Sequence, residues 1–199
     1  VDLPGELKGI LASVNYYNKI YGKNRWKFSN IISLSIGQGE IGMTTLQLAN
    51  LAAIIANKGF YYNPHLIKNI ESQSDQRKNI QLNYAAVSKK ECYDLVIDAM
   101  EDVVNSGTAQ LAKSDVITIC GKTGTAQNPH GEDHSVFIAF APKENPKIAI
   151  ATIIENSGFG GVWAAPVSGL LIDKYLNDTI SKSRIWMEDR IINASFSRK

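Results

Sequence analysis

Residues 116–127 read "VITICGKTGTAQ", and the fold and function of this chain turn on what backbone carries Lys122. Two chemistries compete for a Gly-Lys-Thr run. A phosphate-binding loop needs glycines six residues and one residue before the lysine, so that backbone N–H groups form a cradle. Gly121 fills the second position, but Val116 occupies the first. Downstream, "GTAQNPHGEDHS" (124–135) begins no amphipathic helix. Phosphate binding is rejected. The alternative is a β-strand that grips a carboxylate beside a reactive serine.

On the strand reading, Lys122 and Thr123 are expected on one side, with Thr125 beside them. Gly124 removes a Cβ where a ligand must lie against the strand edge. An ammonium with two hydroxyls makes a clamp for a carboxylate, and a strand N–H can help stabilise an oxyanion. Taken alone, the tripeptide is served equally well by an exposed strand with a solvated lysine.

Outward from this stretch, the period of the sequence changes. "SVFIAFA" (135–141) and "KIAIATIIE" (147–155) are short β-branched and aromatic runs. They are apolar on both faces, as strands covered by helices on both sides must be. "PKENPK" (142–147) between them suits an antiparallel connection. Upstream, Leu48, Leu51, Ala52 and Ile55 recur at helical spacing after Thr44 or Thr45, with Gly59 as the stop. A second helix is expected from a capping box of Ser88 and Glu91. Its buried face is read as Cys92, Leu95, Val96, Ala99, Met100 and Val103, ending at Gly107. Residues 68–86 read as a polar surface excursion. "VWAAPVSGLLIDKYL" (162–176) reads as the last helix, with Pro166 near its first turn. Residues 178–199 read as a mostly polar tail, except "RIWM" at 184–187, much of it expected to be mobile.

The bulk properties limit the function. With 199 residues, 44% hydrophobic and 20% charged, the chain can build a real core. A net charge of +2 from scattered basic residues excludes a nucleic-acid surface. The two cysteines, Cys92 and Cys120, can form neither a disulfide framework nor a metal ribbon, and both are expected buried. His65, His130 and His134 are scattered and make no metal site. No apolar run approaches the ~18 residues that cross a bilayer, so a soluble polypeptide is expected.

"GKTGTAQ" does not stand alone. "DLPGE" (2–6), "IGQG" (36–39) with "TTLQLANLAAIIANKG" (44–59), "DHSVFIAFAP" (133–142) and "IATIIENSGFGGVWAAP" (150–166) occur with it in one order. Together they resemble the transpeptidase domain of class B penicillin-binding proteins, over residues 1 to about 177. The resemblance implies an α+β layered fold of the penicillin-binding protein and serine β-lactamase type, an antiparallel sheet flanked by helices, incomplete in this chain. It implies that Lys122, Thr123 and Gly124 belong to the catalytic strand. It also implies that Thr123, Thr125 and Gln127 meet the substrate, and that Asp133 and His134 stand behind them. His134, opening a strand, is more often a structural hydrogen-bonding residue than a general base.

Acyl transfer in that family needs a serine with a lysine three residues on, so that the amine activates the hydroxyl. No serine here has a lysine at that spacing. Ser13-Val14-Asn15 imitates the family's second motif but follows "DLPGE" instead of preceding it, and is set aside. The expectation is therefore a C-terminal part of a transpeptidase domain (1–177) with a tail (178–199), its nucleophile upstream and this chain inactive alone. The resemblance further implies D-Ala-D-Ala stem peptides, β-lactams and elongation-complex proteins as partners, no cofactor, and a parent anchored in the inner membrane with this domain in the periplasm. The edge of the 147–156 strand is expected to be covered by the C-terminal segment or by another chain. A non-catalytic β-lactam- or peptidoglycan-binding module and a serine β-lactamase relative remain alternatives.

Overall fold

The computed structural model describes residues 5–66, 81–86 and 89–196. The chain divides into two compact units, Leu3–Thr44 and the remainder. The smaller unit holds α1 (Val14–Tyr21) and α2 (Phe28–Ser35), with an antiparallel bridge between Ile10 and Gly42. Ser13 caps α1 by accepting from the Tyr16 N–H at 3.2 Å, which accounts for its place before Val14-Asn15. Tyr17 is buried, stacks on Trp26 at 5.6 Å and donates to Glu40 at 3.0 Å, as Tyr21 also does.

In the larger unit, α3 (Thr45–Ala56) is followed by β1 (Phe60–Tyr62) and β2 (Leu82–Tyr84), which form a two-stranded antiparallel ladder. The helix stops where Lys58 takes a left-handed φ of 55° and Gly59 N–H returns to Ile54 O at 2.9 Å. β2 falls within the polar 68–86 stretch, which carries no strand signal; residues 68–80 of that stretch lie outside the described residues. Ser88, the expected cap of α4 (Lys90–Asn105), also lies outside them.

Strands β3 (Cys120–Ala126), β4 (His134–Ala141) and β5 (Ile148–Ile154) form an antiparallel sheet in the order β3-β4-β5. The "VITIC" run is not itself strand: β3 starts at Cys120, and Val116 lies exposed in a bend. Helices α3 and α4 cover one face, where Phe140 and Cys120 meet Ala56, Ile97 and Met100. α5 (Ala164–Asn177) covers the other, where Phe137, Ala139 and Ala141 meet Ala164, Ala165 and Ile172. Burial on both faces is what the unbroken apolar runs of β4 and β5 require. Gly121 is needed here because the Phe137 ring lies where its Cβ would be.

Three expectations are corrected. The buried stripe of α4 is Tyr93, Ile97, Met100 and Val104, while Cys92 is exposed and Leu95 is 72% exposed. Both sets have helical spacing; the Tyr93 ring packs against Gly59 and fixes the rotation of the helix. Cys120 is buried as expected. Next, α5 is not the last helix, because a 3-10 turn (Lys182–Arg184) leads into α6 (Ile185–Ile192), with Met187 buried. Residues 182–192 are therefore packed, anchored by the buried ion pair of Arg184 with Asp173. Finally, of the two covers expected for the β5 edge, the described part of the C-terminal segment pairs no strand with β5 and instead packs as α6 on α5; pairing with another chain stays an expectation.

Candidate active site

β3 is an edge of the three-stranded sheet among the described strands. Its register pairs Lys122 with Ile138, Thr123 with Phe137 and Thr125 with Ser135. Strand alternation then sends Thr123 and Thr125 to the α5 face and Lys122 to the α3/α4 face. The expectation that all three share a side is thus corrected. Lys122 compensates through its length: its ammonium reaches back to the backbone and donates to Thr123 O at 2.8 Å. The positive charge rests on the backbone of the residue whose hydroxyl faces the other way. Lys122 is exposed, while Thr123, Gly124 and Thr125 are half-buried.

The other expected residues separate by place. Gln127 is exposed just beyond β3. Asp133 and His134 face inward to the backbone of two turns. Asp133 accepts from Asn128 N–H at 3.1 Å through its carboxylate, and from Ser157 and Gly158 N–H at 3.0 and 2.8 Å through its carbonyl. His134 Nδ1 accepts from Asn156 N–H at 3.1 Å, which places the ring proton on Nε2 in the neutral imidazole. Asn128 Nδ2 donates to Asn156 Oδ1 at 2.7 Å and closes the network. These contacts hold the β3–β4 turn against the turn that follows β5. No three His, Cys, Asp or Glu among the described residues are grouped to hold a metal.

What the sequence reading missed is the support behind the strand. The "GFGG" loop (158–161) lies so close to β3 that a Cβ on Gly160 would collide with the carbonyls of Gly124 and Val136. One on Gly161 would collide with Thr108 O. The buried Ser135 hydroxyl donates to Phe159 O at 3.0 Å and accepts from Ala164 N–H at 3.0 Å. It thereby pins that loop and caps α5 from a neighbouring strand. Thr108, in the turn after α4, places its hydroxyl 2.8 Å from that of Thr123. Adjacent glycines after an apolar strand signal close backbone contact, though not its partner. For Thr108 there was no local signal, since the contact spans a turn and a helix end.

Comparison with known proteins places this geometry in a family. The penicillin binding protein transpeptidase domain matches residues 1–173. Peptidoglycan D,D-transpeptidase MrdA of Acinetobacter baumannii is 33% identical over 199 residues, covering 88% of this chain and 28% of that protein. Among solved structures, Pseudomonas aeruginosa PBP2 in complex with WCK 5153 has a TM-score of 0.76 at 33% identity, covering 92% of this chain and 40% of that one. Penicillin-binding protein A from M. tuberculosis, an imipenem acyl-enzyme complex, has a TM-score of 0.60 at 30% identity, covering 72% and 33%. The complex of PBP2 with MreC from Helicobacter pylori has a TM-score of 0.71 at 28% identity, covering 88% and 33%. The chain spans about three tenths of the length of the curated relatives it matches. With its Lys-Thr-Gly strand at a sheet edge and its helices on both faces, the chain belongs to the penicillin-binding protein transpeptidase domain family, in its class B, PBP2-like branch.

Proposed function

We propose that this chain is the Lys-Thr-Gly part of a serine D,D-transpeptidase that cross-links peptidoglycan and is acylated by β-lactams. The observation that carries the reading is the edge strand β3, where the Lys122 ammonium sits on Thr123 O at 2.8 Å. The names of the relatives, and the acyl-enzyme formed by one of them, support it. In the proposed reaction a serine Oγ, activated by a lysine three residues on, attacks the penultimate D-Ala carbonyl of a stem peptide. The terminal D-Ala leaves as its amine takes a proton, and an acceptor amine then resolves the acyl-enzyme. Serine and lysine come from sequence outside these 199 residues, since no Ser-x-x-Lys occurs within them.

In this reading Lys122 supplies positive potential to the hydroxyl network, and Thr123 and Thr125 hold the substrate's terminal carboxylate, with Gln127 at the rim. The Thr125 N–H is one oxyanion donor, and Gly124 lets the ligand lie along the strand. Asp133 and His134 act through the turn they hold. The partners are stem peptides, β-lactams and cell-wall elongation proteins; the PBP2–MreC complex supports the last. Among the described residues no helix is long and apolar enough to cross a membrane. A membrane anchor elsewhere in the protein, with this domain in the periplasm, completes the proposal. The domain boundary is placed at 177, with 178–199 as an extension whose helix α6 packs on α5.

The test is benzylpenicillin acylation of the full-length protein carrying this chain. Lys122→Ala removes a charge from a preorganised site and should slow acylation at least about tenfold. An unchanged acylation rate would remove Lys122 from the site.

A further inference from the structure

We propose that Thr108 is a positioning residue for Thr123, fixing the direction in which the Thr123 hydroxyl offers its proton; this rests on the reading of Thr123 as a carboxylate contact. Thr108 is held on both sides of its own backbone. Behind it, Ser106 and Gly107 N–H return to Asp102 O at 2.9 and 3.0 Å, and Ala109 N–H returns to Val103 O at 3.0 Å. Ala109 is fully buried, and a Cβ on Gly107 would lie 2.8 Å from Val103 Cα. In front, Thr108 O presses on Gly161 so closely that no larger residue fits there. A turn clamped in this way delivers a hydroxyl to one place, 2.8 Å from Thr123 Oγ1.

The chemistry of two hydroxyls does the rest. Each has one proton and two lone pairs, so the pair can run in either direction. A carboxylate only accepts. When one binds, Thr123 must donate to it, and its own oxygen is then satisfied by a proton from Thr108. The order Thr108 to Thr123 to carboxylate is the only one that leaves no lone pair facing a negative charge. Aligned hydroxyls of this kind polarise and strengthen one another. Without Thr108, the Thr123 side chain is free to turn about its Cα–Cβ bond, and its proton has no fixed aim. Specificity for an ionised ligand over an uncharged one follows directly.

The test compares benzylpenicillin with its methyl ester on the full-length protein. Thr108→Val, which keeps the shape and removes the hydroxyl, should slow acylation by the acid about fivefold, with the ester changed less than twofold. Thr108→Ser should recover the wild-type preference. An equal loss on both ligands would mean that Thr108 only shapes the turn, and no loss on either would mean that it does nothing; both results overturn the proposal. If the wild-type protein is not acylated at all, the transpeptidase reading fails. Thr108 is then judged in the 199-residue chain, by three-bond NMR couplings that report the Thr123 side-chain rotamer. A single rotamer in wild type and Thr108→Ser, averaged in Thr108→Val, supports the positioning role. The same couplings in all three overturn it.

Discussion

Arg184 is the residue whose loss the fold should tolerate least. Its guanidinium is buried and pairs with the buried carboxylate of Asp173. It also donates to Leu111 O at 3.2 Å and Gly169 O at 3.4 Å, tying α6 and α5 to the turn before β3. Arg184→Ala leaves a carboxylate and a carbonyl without donors in the interior, a change that typically costs 3–5 kcal/mol. Asp173 Oδ1 and Arg184 Nε already lack partners, so the pair is imperfect and the lower end, about 3 kcal/mol, is expected. With a denaturant slope of about 2 kcal/mol/M, the urea midpoint should fall by about 1.5 M. Asp173→Leu with Arg184→Met replaces the pair by apolar groups and should recover all but about 1 kcal/mol. Urea unfolding followed by far-UV circular dichroism measures all three proteins. A midpoint shift under about 0.5 M for Arg184→Ala would refute the reasoning. So would faster amide exchange confined to 185–192 with an unchanged midpoint, because α6 would then be a dispensable attachment.

Two further expectations concern the buried Ser135 hydroxyl and the two thiols. Ser135→Ala strips partners from Phe159 O and from the buried Ala164 N–H, and should cost roughly 3 kcal/mol in the same urea assay, with faster amide exchange at 158–165. Cys92 should react with a disulfide reagent in the native chain, and Cys120 only after unfolding, because burial pushes the Cys120 thiol up to about 12. The unfolded thiol loses its proton near 8.5, so the folded state binds that proton more tightly and stability should fall as pH rises between these values. Two reactive thiols in the native protein would contradict this.

The sheet was legible because its strands obey a simple rule: runs apolar on both faces must be covered on both faces, and β4 and β5 are. The rotation of α4 was not legible. Its two apolar stripes are equally periodic, and the choice between them is made by the Tyr93 ring against Gly59, a contact across more than thirty residues. The tail misled for a related reason: its composition is polar, but one arginine finds a buried carboxylate eleven residues earlier and holds the segment down. At the site, the residue types around Lys122 were readable and their directions were not. Alternation separates Lys122 from the two threonines, and only the length of the lysine side chain brings its charge back to Thr123 O. Thr108 and Ser135 stayed hidden because a lone hydroxyl has no pattern; its meaning is its partner.

The most direct test of the central claim is intact-mass spectrometry after incubation with excess benzylpenicillin. We propose that these 199 residues carry the carboxylate clamp and that the nucleophile lies in sequence outside them. Neither Lys122 nor an unactivated threonine or serine attacks a carbonyl at a useful rate, and loss of a serine nucleophile typically costs on the order of a millionfold. The 199-residue chain should therefore keep its unmodified mass, while the full-length protein gains one penicilloyl group on a Ser-x-x-Lys serine. A stoichiometric adduct on the 199-residue chain, at Ser13 or any other serine, would contradict the account.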